Sequence, residues 1–262
     1  MTHHPRKRFG QNFLHDQSII YNILASLGAQ KNEHWVEIGP GQGALTEPLL
    51  AKGVILDIVE LDRDLVELLS RRYADRINLT IHSADALKFD FSGLVKANEK
   101  LNILGNLPYN ISTPLLFHLL ESAANIESMT FMLQKEVVER ICAAPGSKTY
   151  GRLSLMMHYY CQTEYLFDVP PESFTPIPKV DSAVIRLSPH QTPPVQVDDL
   201  EQFSHIITQA FSQRRKTLRN ALKTILDETQ ISSLGIDPTR RPETLTLQEF
   251  SALSNAIKKD SV

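Results

Sequence analysis

Val36-Glu37-Ile38-Gly39-Pro40-Gly41-Gln42-Gly43-Ala44 carries an apolar strand into a glycine-rich turn. Glycines at a strand-to-helix turn let the backbone approach a ligand closely, and Gly39, Gly41 and Ala44 satisfy the pattern GxGxxG/A. The next apolar run ends in Val59-Glu60-Leu61-Asp62, which puts an acid where ribose hydroxyls are held in such folds. Further apolar runs follow at Leu79 to Ser83, Leu101 to Gly105, Met129 to Leu133, Tyr165 to Val169 and Ala183 to Leu187. With His34 to Gly39 and Val54 to Leu61 they make seven strands alternating with helical segments, which predicts an α/β doubly wound sheet. Helices are expected from Ser18 to Leu27, capped by Asp16 and stopped by Gly28, and from Thr113 to Glu121 behind Ser112. The Pro-His-Gln-Thr-Pro-Pro run at 189–194 marks a linker, after which the pattern is helical only.

Composition excludes several classes. The 262 residues are 42% hydrophobic, enough for one large domain and a small appendage. No apolar run approaches the roughly 20 residues that span a bilayer, and the amino terminus is basic without a hydrophobic segment behind it, so no membrane role and a cytoplasmic location are expected. Cys142 and Cys161 lack a CxxC partner and the nine histidines lack ligand spacing; reduced thiols and no metal are expected.

Two carboxylates identify the ligand of the glycine turn. Glu37 would repel a pyrophosphate but not the cationic amino acid part of S-adenosylmethionine. Asp85, in Ser83-Ala84-Asp85-Ala86 after the third strand, can accept from an adenine amino group or cap a helix. The fourth strand then stops on Asn106-Leu107-Pro108-Tyr109. The Asn106 side-chain oxygen and the Leu107 carbonyl can accept both N–H groups of a planar amine, because Pro108 holds Leu107 extended. Tyr109 offers a stacking face. Four strand ends thus converge on the carboxyl edge of one sheet, where open α/β folds bind ligands.

Basic charge is clustered although the net charge is −3. From Gln202 to Leu226 there is no acidic residue, and apolar residues recur at helical spacing from Phe203 to Ile225. One amphipathic helix is expected there, carrying Arg215, Arg219 and Lys223 four apart beside Lys216. Arg6-Lys7-Arg8 is a second cluster. Both are either solvated faces or phosphate contacts.

Along nearly its whole length the chain resembles the ribosomal RNA adenine N,N-dimethyltransferases, in the branch acting on the small subunit. The resemblance rests on Arg6 to Leu14, the glycine loop, Gly105 to Pro114, Phe131 to Glu136, Tyr150 to Ser154, Val169 to Leu187 and Gln213 to Thr217. It implies a Rossmann-like seven-stranded S-adenosylmethionine-dependent methyltransferase domain at 1–188, with 1–16 closing over the cofactor, a linker at 189–198 and a small all-helical RNA-contacting domain at 199–262. It also implies that Asn12, Leu14, Gly39, Gly41, Glu60, Asp85, Ala86 and Asn106 hold the cofactor, and that Asn106 and Leu107 hold the target amine between the rings of Tyr109 and Phe174. For Phe174, core packing is the alternative.

The implied reaction is direct methyl transfer to the 6-amino groups of two adjacent adenosines in a hairpin near the 3′ end of 16S rRNA, within the small subunit or its precursor, leaving S-adenosyl-L-homocysteine. Arg6, Lys7, Arg8, Arg215, Lys216, Arg219 and Lys223 would grip the RNA backbone, and the family leads one to expect a monomer with a further role in small-subunit biogenesis. The rivals are a large-subunit methyltransferase of the macrolide-resistance type, a DNA adenine methyltransferase, which usually carries Asp-Pro-Pro-Tyr, and a non-catalytic assembly factor on the same fold.

Overall fold

A computed structural model describes residues 11–96, 99–213 and 215–257. The strands are β1 (Phe13–Leu14), β2 (His34–Ile38), β3 (Ile55–Glu60), β4 (Leu79–Ser83), β5 (Leu101–Asn106), β6 (Ile126–Gln134), β7 (Cys161–Val169), β8 (Phe174–Thr175) and β9 (Ser182–Pro189). The helices are α1 (Gln17–Leu27), α2 (Thr46–Ala51), α3 (Arg63–Arg72), α4 (Ser112–Leu120), α5 (Lys135–Ile141), α6 (Arg152–Tyr160), α7 (Leu200–Phe211), α8 (Leu218–Leu222), α9 (Glu228–Ser233) and α10 (Leu247–Asn255). None of the described helices is long and apolar enough to cross a membrane.

Seven strands form one sheet in the order β4-β3-β2-β5-β6-β9-β7. The neighbours from β4 to β6 are parallel and β9 runs antiparallel to β6. The strands β2 and β5 are buried nearly throughout, as expected of parallel strands covered on both faces. The order reverses between β2 and β5, so their carboxyl ends open the crevice at which such sheets bind ligands. Gly105 is required there: a Cβ on it would lie 2.6 Å from the Ile38 carbonyl oxygen.

Two short strands were not anticipated. β1 and β8 pair antiparallel, Phe13 opposite Thr175 and Leu14 opposite Phe174, and the His15 N–H donates to the Ser173 carbonyl at 3.0 Å. Asp16 continues the tie. Its carboxylate caps α1 by accepting from the Ser18 and Ile19 N–H groups at 2.8 and 3.3 Å, and it accepts the Ser173 hydroxyl at 3.3 Å. Gly28 ends α1 at φ 62°, as expected of a glycine stop.

The chain divides into two compact units, residues 1–138 with 164–189, and residues 139–163 with 190–262. The chain crosses into the second unit after Pro189, and residues 190–198, expected as a linker, fall within that unit. Residues 139–163, expected in the catalytic domain, belong instead to the second unit. The cause is aromatic packing: Tyr159 of α6 lies against Phe203 of α7, and Tyr150 meets Phe211, which stacks on Phe250 of α10. The single helix expected over 202–226 is also corrected. It breaks into α7 and α8, and the Leu218 and Arg219 N–H groups donate to the Arg240 and Pro238 carbonyls, outside any helix running on from α7.

Candidate active site

A cavity of about 350 Å³ lies in the first unit at the carboxyl ends of β2, β3, β4 and β5. Asn12, Leu14, Gly39, Gly41, Glu60, Asp85, Ala86 and Asn106 all line it, and so does Leu107. Its wall also includes Gln11, Phe13 and Leu61, which sequence patterns did not single out. The residues Gln11 to Leu14 reach the cavity because the β1–β8 ladder holds them there. That long-range pairing leaves no local signal in a two-residue strand.

Gly39 and Gly41 adopt φ of 66° and 58°, the left-handed region open to glycine. A Cβ on Gly41 would lie 2.9 Å from the Phe13 ring, so its absence lets Phe13 pack onto the turn. Glu60, 7% exposed, accepts the Asp62 N–H at 2.7 Å, and burial pushes its pKa up. Asp62 caps α3 through the Asp64 N–H at 3.1 Å and accepts from the Gln11 amide at 3.1 Å. Asp85 lines the cavity and accepts the Leu87 N–H at 3.0 Å, which closes a turn at 86–88 and caps no helix.

Glu37 is 2% exposed and accepts the Thr46 hydroxyl at 2.6 Å. Burial, opposed by that hydrogen bond, raises its pKa to about 7. It is therefore only partly charged near neutrality, and its expected repulsion of a pyrophosphate is weaker than a full carboxylate would exert. The cavity as a whole still favours a cation: Glu37, Glu60 and Asp85 line it, while no Lys, Arg or His among the described residues does.

Asn106 ends β5 with its Nδ2 donating to the Asn12 carbonyl at 3.0 Å. A carbonyl accepts only from the amide nitrogen, so the contact fixes which way the amide faces and leaves Oδ1 as the acceptor. The Leu107 N–H is spent on the Met132 carbonyl at 3.2 Å. Tyr109 is half-buried, and its hydroxyl lies 2.8 Å from Ser182 Oγ.

Phe174 is a correction. It is 1% exposed, packed in the core with Leu14, Ile20 and Ile23, and has no free face for a base in this structure. Its pairing with Leu14 draws it inward. Among the basic candidates, Arg6, Lys7 and Arg8 lie outside the described residues. Arg215 and Lys216 are exposed in the turn between α7 and α8; Arg219 and Lys223 are exposed at α8. These residues do not share one helical stripe, and Arg219 pairs with Glu228 at 3.3 Å.

A doubly wound seven-stranded sheet with an acidic cavity at its switch point defines a Rossmann-like methyltransferase fold. Residues 2–259 match the family model described as ribosomal RNA adenine dimethylase. The chain belongs to that family. It is 53% identical over 255 residues to "Ribosomal RNA small subunit methyltransferase A" of Pseudomonas aeruginosa, covering 97% of this chain and 95% of that one. It is 52% identical over 259 residues to the protein of the same name from Marinomonas sp., covering 98% and 97%. Among solved structures, a dimethyladenosine transferase from Plasmodium falciparum superposes with a TM-score of 0.75 at 23% identity, covering 92% of this chain and 95% of that one. The 23S rRNA methyltransferase ErmE superposes at 0.73 and 23% identity, covering 94% and 99%. At that identity the two structures speak to the fold alone.

Proposed function

We propose that this chain dimethylates the 6-amino groups of two adjacent adenosines in a hairpin near the 3′ end of 16S rRNA, in the small ribosomal subunit or its precursor, with S-adenosylmethionine as donor. The observation that carries the reading is the meeting in one cavity of Glu60, Asp85 and Asn106, three acceptors from three successive strand ends. The relatives named for the small subunit, at more than half identity over almost the whole chain, favour that substrate over the large subunit.

The residues present fit the donor. Glu60 would accept from the ribose hydroxyls and Asp85 from the adenine amine, and an acidic wall to which no described residue adds a cationic side chain suits a ligand bearing ammonium and sulfonium charge. Its volume lies within the range of small-ligand sites. When bound, S-adenosylmethionine supplies an electrophilic methyl group. Asn106 Oδ1 and the Leu107 carbonyl accept the two N–H groups of the target amine. That draws the nitrogen lone pair out of conjugation with the base and stabilises the positive charge developing there. Tyr109 stacks on the base and sets its approach, so the protein's main contribution is alignment. The nitrogen proton passes to water.

The test is transfer of labelled methyl groups to undermethylated small subunits, large subunits and DNA in parallel. Label on small subunits is expected, with Asn106→Ala abolishing it and weakening cofactor binding. Tyr109→Ala should mainly weaken the hold on the base, by about 1 to 3 kcal/mol. Label on the large subunit alone would move the chain to the macrolide-resistance reading, and no label anywhere would favour a non-catalytic assembly factor.

A further inference from the structure

We infer that Ser182 is a positioning residue for the target base, acting through Tyr109. The inference rests on the proposal that Tyr109 stacks on the adenine. Ser182 opens β9 opposite Gln134, is fully buried, and lies 73 residues from Tyr109 in sequence, yet its Oγ is 2.8 Å from the Tyr109 hydroxyl. Among the described residues that phenol is its side-chain partner.

The tyrosine is held at both ends. Its backbone carbonyl accepts the Ser112 hydroxyl at 3.2 Å, and Ser112 is itself buried at the start of α4. Its residue before is Pro108, whose ring restricts the backbone leading into it. With Cα anchored by the turn and Oη by β9, both side-chain torsions of the ring are set before any base arrives. Ser182 sits on a rigid support, since its neighbours Ala183, Val184 and Ile185 are all buried in the seven-stranded sheet.

Removing the Ser182 hydroxyl leaves a half-buried phenol O–H without its protein partner. The least costly remedy is rotation of the ring toward water, which tilts the face offered to the base. A base stacked on a tilted ring presents its amine off the line of methyl transfer, and small misplacements of that kind are costly in rate. The Ser182→Ala change itself removes one oxygen and leaves the apolar packing of β9 intact.

The experiment is a double-mutant cycle on the full chain with Ser182→Ala, Tyr109→Phe and the combined variant. Methyl transfer is measured with undermethylated small subunits and S-adenosylmethionine titrated separately, and S-adenosylhomocysteine binding is measured directly. Ser182→Ala is expected to lower kcat/KM for the subunit about three- to tenfold, the range one hydrogen bond supports, without changing S-adenosylhomocysteine affinity. Tyr109→Phe, which removes the same bond from the other side, is expected to match it, and the combined variant to be no worse than either. Additive losses in the combined variant would overturn the inference, because Ser182 would then act other than through the phenol. So would a normal rate for Ser182→Ala beside an impaired Tyr109→Ala. An unimpaired Tyr109→Ala would overturn the stacking role itself.

Discussion

Glu37 lines the cavity at a cost to the fold. Its pKa in the folded chain, about 7, lies above the ordinary 4.5 because burial penalises its charge. A carboxyl raised in this way binds more protons folded than unfolded between those values. Its contribution is therefore fully favourable below about pH 4.5 and is lost as pH rises through about 7. Glu37→Gln keeps an acceptor for the Thr46 hydroxyl and removes the titration. Its unfolding free energy in the absence of ligand should exceed the parent's by up to about 3 kcal/mol at pH 8, with the difference shrinking toward pH 5. Parallel pH profiles in denaturant melts would refute this. Asn106 is the complementary case: the sequence identified the residue, but the direction of its amide is fixed by a carbonyl 94 positions away.

At the scale of elements, the basic segment between α7 and α8 is where tertiary contacts overrode periodicity. Apolar spacing from Phe203 to Ile225 fits one helix, yet Leu218 and Arg219 donate to the carbonyls of Arg240 and Pro238 instead of continuing the helix of α7. Arg215 is thereby presented from a turn and Arg219 from a five-residue helix already paired with Glu228. If both contact RNA phosphates, Arg215→Ala with Arg219→Ala should flatten the salt dependence of RNA binding by roughly 0.7 to 0.9 log unit per lost contact, with Arg219 showing less because Glu228 competes. Filter binding at several salt concentrations measures it; an unchanged slope would leave both residues as solvated surface. The seven long strands and the caps of α1 were legible because they are local patterns of apolar residues, Asp16 and Gly28. The pair β1 and β8 was not, since two residues carry no periodicity.

At the scale of the whole molecule, all residues lining the cavity belong to the first unit, including the segment Gln11 to Leu14. That segment is hydrogen-bonded to Asp62, to Asn106 and, through the β1–β8 ladder, to Phe174 and Thr175. Ligand binding at this cavity should therefore slow amide exchange both around residues 11–16 and around 171–175, while residues 190–257 exchange as before. Hydrogen-exchange mass spectrometry with and without S-adenosylhomocysteine measures this, and protection confined to the glycine loop would show that the ladder does not transmit closure. The sequence by itself determined the sheet, its glycine turn, the acids at the ends of β3 and β4, and the Asn-Leu-Pro-Tyr turn, because apolar runs and turn chemistry act over a few residues. Only the tertiary structure decided that Phe174 is core, that residues 139–163 join the second unit, and that Ser182 and Asn12 are the hydrogen-bond partners of Tyr109 and Asn106. Each of those outcomes depends on packing or hydrogen bonding between segments far apart in the chain, and no local pattern encodes such partners.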